Sequence, residues 1–162
     1  MIKIVLLILA LVLIVSGTVW YFANRRKSEM SFKQGMDLTD LPVITLYQGN
    51  RKLNFLLDTG CNLCCINKSA LEGLNYTVKE STTNVMGIEG NPVECPLYNI
   101  SIYHNKTEYN YDFAVNNLDA AFSDLKRDTG VQLHGLLGSK FFEKYKYVLD
   151  FERLVAYSKW FI

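Results

Sequence analysis

The sequence predicts an all-β domain carrying one or two short helices, preceded by a transmembrane helix. Three observations predict it. Short runs of strand-forming residues recur after residue 40, separated by turn signals about every dozen residues. Two stretches near the C-terminal end, Leu118–Lys126 and Ser139–Tyr145, instead carry helical spacing. Ahead of the domain, Ile4 to Asn24 contains no charged residue.

That N-terminal run is 21 residues long. As a helix it rises about 31 Å, close to the roughly 30 Å hydrocarbon core of a bilayer. Trp20, Tyr21 and Phe22 stand at its exit, followed by Arg25, Arg26 and Lys27. A cleaved signal peptide is the competing reading. The apolar stretch is long for that role, and bulky aromatics occupy the place of a small-residue cleavage site. The expected organisation is an anchor with a basic flank over residues 1–27, a polar juxtamembrane linker over 28–40 and one domain over 41–162. The expected localisation is a single-pass membrane protein. The side on which the domain lies stays open, because Lys3 sits before the run and three basic residues sit after it.

The domain is large enough for a hydrophobic core. Four of the 17 Lys and Arg precede Ser28, leaving 13 against 16 acidic residues. A mildly acidic domain without a basic stripe argues against a nucleic-acid partner.

Within the domain, Leu41–Tyr47 and Lys52–Leu57 flank Gln48-Gly49-Asn50, which predicts a hairpin. Cys64–Asn67 reads as a short strand and Ser69–Leu74 as a helical turn ending at Gly73. Tyr98–Tyr103 and Glu108–Val115 alternate about a turn at His104-Asn105-Lys106. Tyr109, Tyr111, Phe113 and Val115 then share one face, read as core or dimer surface. Tyr147–Phe151 and Leu154–Tyr157 close the chain as strands. His104 and His134 read as surface residues.

The sharpest local feature is Phe55-Leu56-Leu57-Asp58-Thr59-Gly60, where a hydrophobic strand runs into an acid, a hydroxyl and a glycine. Asp128-Thr129-Gly130 repeats the tripeptide after solvated Lys126-Arg127, and reads as a turn. Two further segments accompany the first copy. Val85-Met86-Gly87-Ile88-Glu89-Gly90 lies some 30 residues downstream, and Gly135-Leu136-Leu137-Gly138 precedes the helical Ser139–Tyr145.

Together these segments resemble the retropepsin-like (retroviral-type) aspartic proteases, in order and spacing, from about Leu41 to Tyr157. Leu56–Ile66 is similar to that family's active-site motif. Met86, Gly87, Ile88 and Gly90 are similar to its flap, and Gly135, Leu136, Leu137 and Gly138 to its late structural motif. The resemblance implies an acid-protease barrel with Asp58 as catalytic carboxylate and Thr59 and Gly60 shaping its loop. It implies a peptide or protein substrate and no cofactor. One such Asp per chain implies a homodimer, because the chemistry needs two carboxylates sharing a proton around a water.

Cys61 and Cys64 depart from the family pattern, which has small Ala/Ser and Ser/Thr residues there. Three readings of Cys61, Cys64, Cys65 and Cys95 stay open: small structural residues, redox modulation, or metal. The last lacks a second pair of ligands, and no metal site is assigned. The alternative function is a catalytically silent peptide-binding or dimerisation module at the membrane.

Overall fold

The computed structural model describes residues 11–18, 30–86, 91–104 and 107–159. Residues 11–18 are helical and exposed. The rest of the run from Ile4 to Asn24, which carries the anchor expectation, lies outside the described residues. Among the described residues no helix is long and apolar enough to cross a membrane.

The domain begins earlier than its composition suggests. The polarity of residues 28–40 predicts a linker; from Met30 the chain instead packs on the sheet. Helix α1 (Phe32–Thr39) buries Phe32, Gly35 and Thr39. Ser31 and Gln34 form a reciprocal capping box at its start, and Asp40 ends it in the left-handed conformation. A Cβ on Gly35 would lie 2.1 Å from the carbonyl oxygen of Val43, so the helix rests directly on strand backbone. Met30 is fixed by a backbone pair with Thr45, whose N–H donates to the Met30 carbonyl at 2.8 Å. The apolar residues here stand three or four apart among polar ones, a helical stripe that average polarity hides.

Strands β1 (Val43–Gln48) and β2 (Arg51–Asp58) form the expected antiparallel hairpin, closed by Gln48 opposite Arg51. Gly49 turns it at φ +56°, where a side chain would be strained. β3 (Cys65–Asn67) leads into a 3₁₀ turn at Lys68–Leu71, which stops before the expected Leu74. Then come β4 (Thr77–Met86), β5 (Pro92–His104) and β6 (Thr107–Asn116). Helix α2 (Asp119–Thr129), β7 (Gly135–Gly138) and helix α3 (Ser139–Tyr145) follow. β8 (Tyr147–Asp150) and β9 (Val155–Ser158) pair as a separate two-stranded sheet. The domain is mostly β, as expected, but from Met30 on its described residues carry three α-helices rather than one or two.

The main sheet runs β1-β2-β7-β3-β6-β5-β4. An added pairing of Tyr47 with Tyr103 joins β1 to β5, closing six strands into a barrel and leaving β4 outside it. Leu46, Leu53, Phe55, Leu57, Ile66, Ile100, Ile102, Phe113, Leu137 and Phe141 fill the interior. The face read as core or dimer surface is core: Tyr109 and Phe113 are buried, and Tyr109 rings stack edge-on to Tyr145 and Tyr147.

β4 carries no burial period. Most of Thr77–Met86 is exposed on both faces, so nothing selects alternating residues, and its sequence does not announce a strand.

Candidate active site

β2 is the buried strand that delivers Asp58. Leu53, Phe55 and Leu57 point into the core and are at most 2% exposed. Asp58 ends the strand half-buried, and its Oδ1 accepts the Gly60 N–H at 2.9 Å. This local bond turns the chain and holds the carboxylate. Thr59 and Gly60 are exposed in the single chain.

β7 lies beside β2 in parallel, with Leu57 opposite Leu137 and Asp58 opposite Gly138. The late motif thus stands against the acid. Both of its glycines are dictated by close backbone approach. A Cβ on Gly135 would meet the Cys65 carbonyl oxygen at 2.4 Å, and one on Gly138 would meet the Leu63 carbonyl oxygen at 2.3 Å. The loop after Asp58 is tied down at the same place. Ser139 N–H donates to the Cys61 carbonyl at 2.7 Å, and Gly138 N–H donates to the Cys64 Sγ at 3.4 Å. Leu63, Cys64 and Ser139 therefore position the loop. Sequence reading placed Cys64 at the small-residue position of the active-site motif but gave Leu63 and Ser139 no positioning role.

Of the flap segment, Met86 ends β4 opposite Pro92 and is 74% exposed. Gly87, Ile88 and Gly90 lie outside the described residues. The second tripeptide is the end of a helix rather than a free turn. Asp128 and Thr129 close α2, Gly130 caps it at φ +74°, and the Asp128 carboxylate pairs with Arg127 at 2.9 Å. It is an exposed helix terminus and does not stand as a second strand-end acid.

All four cysteines are free, with Cys64, Cys65 and Cys95 buried and Cys61 half-buried. Burial pushes the Cys64 and Cys65 thiols up to about 12, and neighbouring thiols add to it. For Cys65 the Asp58 charge contributes too, which places that thiol within electrostatic reach of the acid. Among the described residues no group of three or more potential ligands is arranged to hold a metal ion. Thiolates are the reactive form, so the buried thiols are inert in the fold. In the native protein one thiol, that of Cys61, is expected to react with an aromatic disulfide reagent, rising to four after denaturation. Fast reaction of three or four native thiols contradicts the packing.

The histidines, expected at the surface, are half-buried and bonded. His134 Nδ1 accepts the Asn54 N–H at 3.0 Å, which places its proton on Nε2. Asn54 is itself buried and joined to Gln132 and Thr45. His104 Nδ1 lies 2.9 Å from the Tyr147 hydroxyl. A β-barrel seam buries turn residues that composition alone assigns to solvent. Burial lowers the pKa of both rings. The unfolded chain then binds more protons below its ordinary value of about 6.5, so folded stability is lost as pH falls through that region. The melting temperature is expected to drop between about pH 7 and pH 5, and less so in His134→Asn, whose amide oxygen can accept the Asn54 N–H without titrating. An equal drop in both proteins removes His134 from the account.

A strand-end acid, its turn, and a glycine-bearing strand beside it form one rigid unit able to hold a carboxylate against a substrate. No curated protein matches the chain. The family model described as aspartyl protease matches residues 44–141, more than half of the sequence, from within β1 to the first turn of α3. The chain belongs to the aspartyl protease family.

Proposed function

We propose that the protein is an aspartic endopeptidase that acts as a homodimer, each protomer contributing Asp58 to a shared dyad. The observation that carries this reading is Asp58 itself. It is half-buried at the end of a core strand and fixed by Gly60, with Thr59 and Gly60 exposed in the single chain. A lone carboxylate cannot both take a proton from water and give one to the carbonyl oxygen. Two carboxylates in contact cannot both ionise, and titrate as a coupled pair holding one proton. One then accepts the proton of the attacking water while the other protonates the carbonyl oxygen.

Thr59 hydroxyls of the two loops would bond across the dimer axis, and the β4–β5 hairpin would close over a substrate laid in as an added strand. The uncharged run from Ile4 to Asn24 with its basic flank supports anchoring of both copies in one membrane, which raises their effective concentration.

The test is cleavage of a mixed peptide library by the full chain from about pH 3 to 7. Cleavage that a statine-type transition-state mimic blocks is expected. A folded dimer that binds peptides and cleaves none puts the binding-module reading in its place.

A further inference from the structure

β5 and β6 bury alternate residues, so their other residues form an outward face. Asn99, Ser101 and Tyr103 interleave with buried Ile100 and Ile102, while Asn110 and Asp112 flank the half-buried Tyr111. Across the ladder, Ser101 stands opposite Asn110 and Asn99 opposite Asp112. The amides bond to one another: Asn110 Nδ2 donates to Asn99 Oδ1 at 2.8 Å and to Ser101 Oγ at 2.9 Å.

Two adjoining hollows lie along this face and share Asn99 and Asn110 as walls. The first, of about 480 Å³, begins at Leu63 of the Asp58 loop and passes Thr83 and Lys79 of β4. The second, of about 680 Å³, continues between Tyr76 and Thr77 on one side and Gln48 and Tyr103 on the other. From Leu97 to Tyr103 the floor runs six residue steps along β5, about 20 Å at ~3.3 Å per step. One trough therefore leads from the base of the β4–β5 hairpin and the catalytic loop to the β1–β2 turn. Its length suits about six residues of extended chain. Apart from Leu63 and Leu97 at the near end, its uncharged lining is mostly amide, hydroxyl and phenol, groups that both donate and accept hydrogen bonds and offer flat contact area. Charge is confined to the near end, where Lys79 faces Asp112 at 3.8 Å and Lys144 lies over the Tyr111 ring.

We propose that this trough is an exosite for an extended, uncharged polar segment of the polypeptide substrate, lying outside the residues that flank the scissile bond. The inference rests on the proteolytic reading for its purpose but not for its binding. Continuity with the catalytic loop selects a polypeptide, because a chain leaving the site past Leu63 enters the trough directly.

Two peptides with the same cleavable centre test it, one carrying six added Asn, Gln, Ser and Thr residues. With the full-length parent chain, kcat/KM is expected to be at least about tenfold higher for the longer peptide, through KM. That ratio falls toward one in Thr77→Arg and in Asn110→Arg, which obstruct the trough at different points. Equal kcat/KM for both peptides in the parent, or an unchanged ratio in both variants, overturns the proposal. A second arm does not need cleavage. A fluorescent form of the six-residue segment is titrated onto the full-length Asp58→Asn chain. Saturable binding that Thr77→Arg abolishes supports the exosite even if no peptide is ever cut, in which case the proteolytic reading alone fails. Absence of binding overturns the exosite, as does displacement of the segment by an uncharged oligosaccharide such as maltopentaose.

Discussion

Asp58→Asn is expected to remove peptide hydrolysis while leaving the domain folded. The amide is nearly isosteric, and its oxygen can still accept the Gly60 N–H that holds the loop at 2.9 Å. What it loses is the ability to exchange a proton. Positioned acid–base catalysis is worth roughly 10² to 10⁴ in rate, and in a shared dyad the change strikes both carboxylates at once. Initial-rate measurements should therefore fall by about 10³-fold or more, with thermal unfolding and dimer content unchanged. A variant that keeps more than about a tenth of the parent rate places the reacting carboxylate elsewhere.

Gly138→Ala is expected to be among the most damaging single-methyl changes in the fold, and the one that acts directly on the Asp58 loop. The new Cβ would sit 2.3 Å from the Leu63 carbonyl oxygen and 2.7 Å from that of Cys61. Both are backbone atoms of the loop that follows Asp58, so no side chain can swing away to make room. Relief requires β7 to part from the loop, which strains the Ser139–Cys61 and Gly138–Cys64 bonds together. Overpacking of this kind costs typically 1–3 kcal/mol and here about 3 kcal/mol or more, because backbone must move. In a domain of this size that is a fall in Tm of about 10 °C. Gly49→Ala is the comparison. It meets no heavy atom within 4 Å and suffers only from its φ of +56°, which costs about 1–2 kcal/mol. A Gly138→Ala protein as stable as the parent contradicts the packing of β7 against the Asp58 loop.

How much of this was legible in the sequence follows from how each element is held. The β1–β2 hairpin declares itself because Gly49 and Asn50 supply its turn and Leu53, Phe55 and Leu57 supply its buried face. β6 declares itself by Tyr109 and Phe113. The strand that carries Asp58 was legible for the same reason, since Leu57 is driven inward and the acid follows it. Elements held by other means were not. α1 packs through Gly35, a residue that reads as helix-weakening and works here by letting backbone touch backbone. β4 lies outside the barrel, so burial imposes no alternation on it. Barrel closure through Tyr47 and Tyr103 is a single long-range pairing with no local trace. The same holds for His134, whose partner Asn54 stands 80 residues away. Around the acid, the residues named by motif were legible, whereas Leu63 and Ser139 act through backbone groups that every residue type possesses.

The central claim is that one working site takes an Asp58 from each of two chains, and subunit mixing tests it most directly. Parent and Asp58→Asn chains, co-expressed in equal amounts so that they assemble together, are compared per total chain with the parent alone. A shared dyad leaves about one quarter of the parent activity, since only parent–parent pairs work in a randomly assembled twofold dimer. Retention of about one half would mean that each chain carries a complete site, and the shared dyad would have to be abandoned.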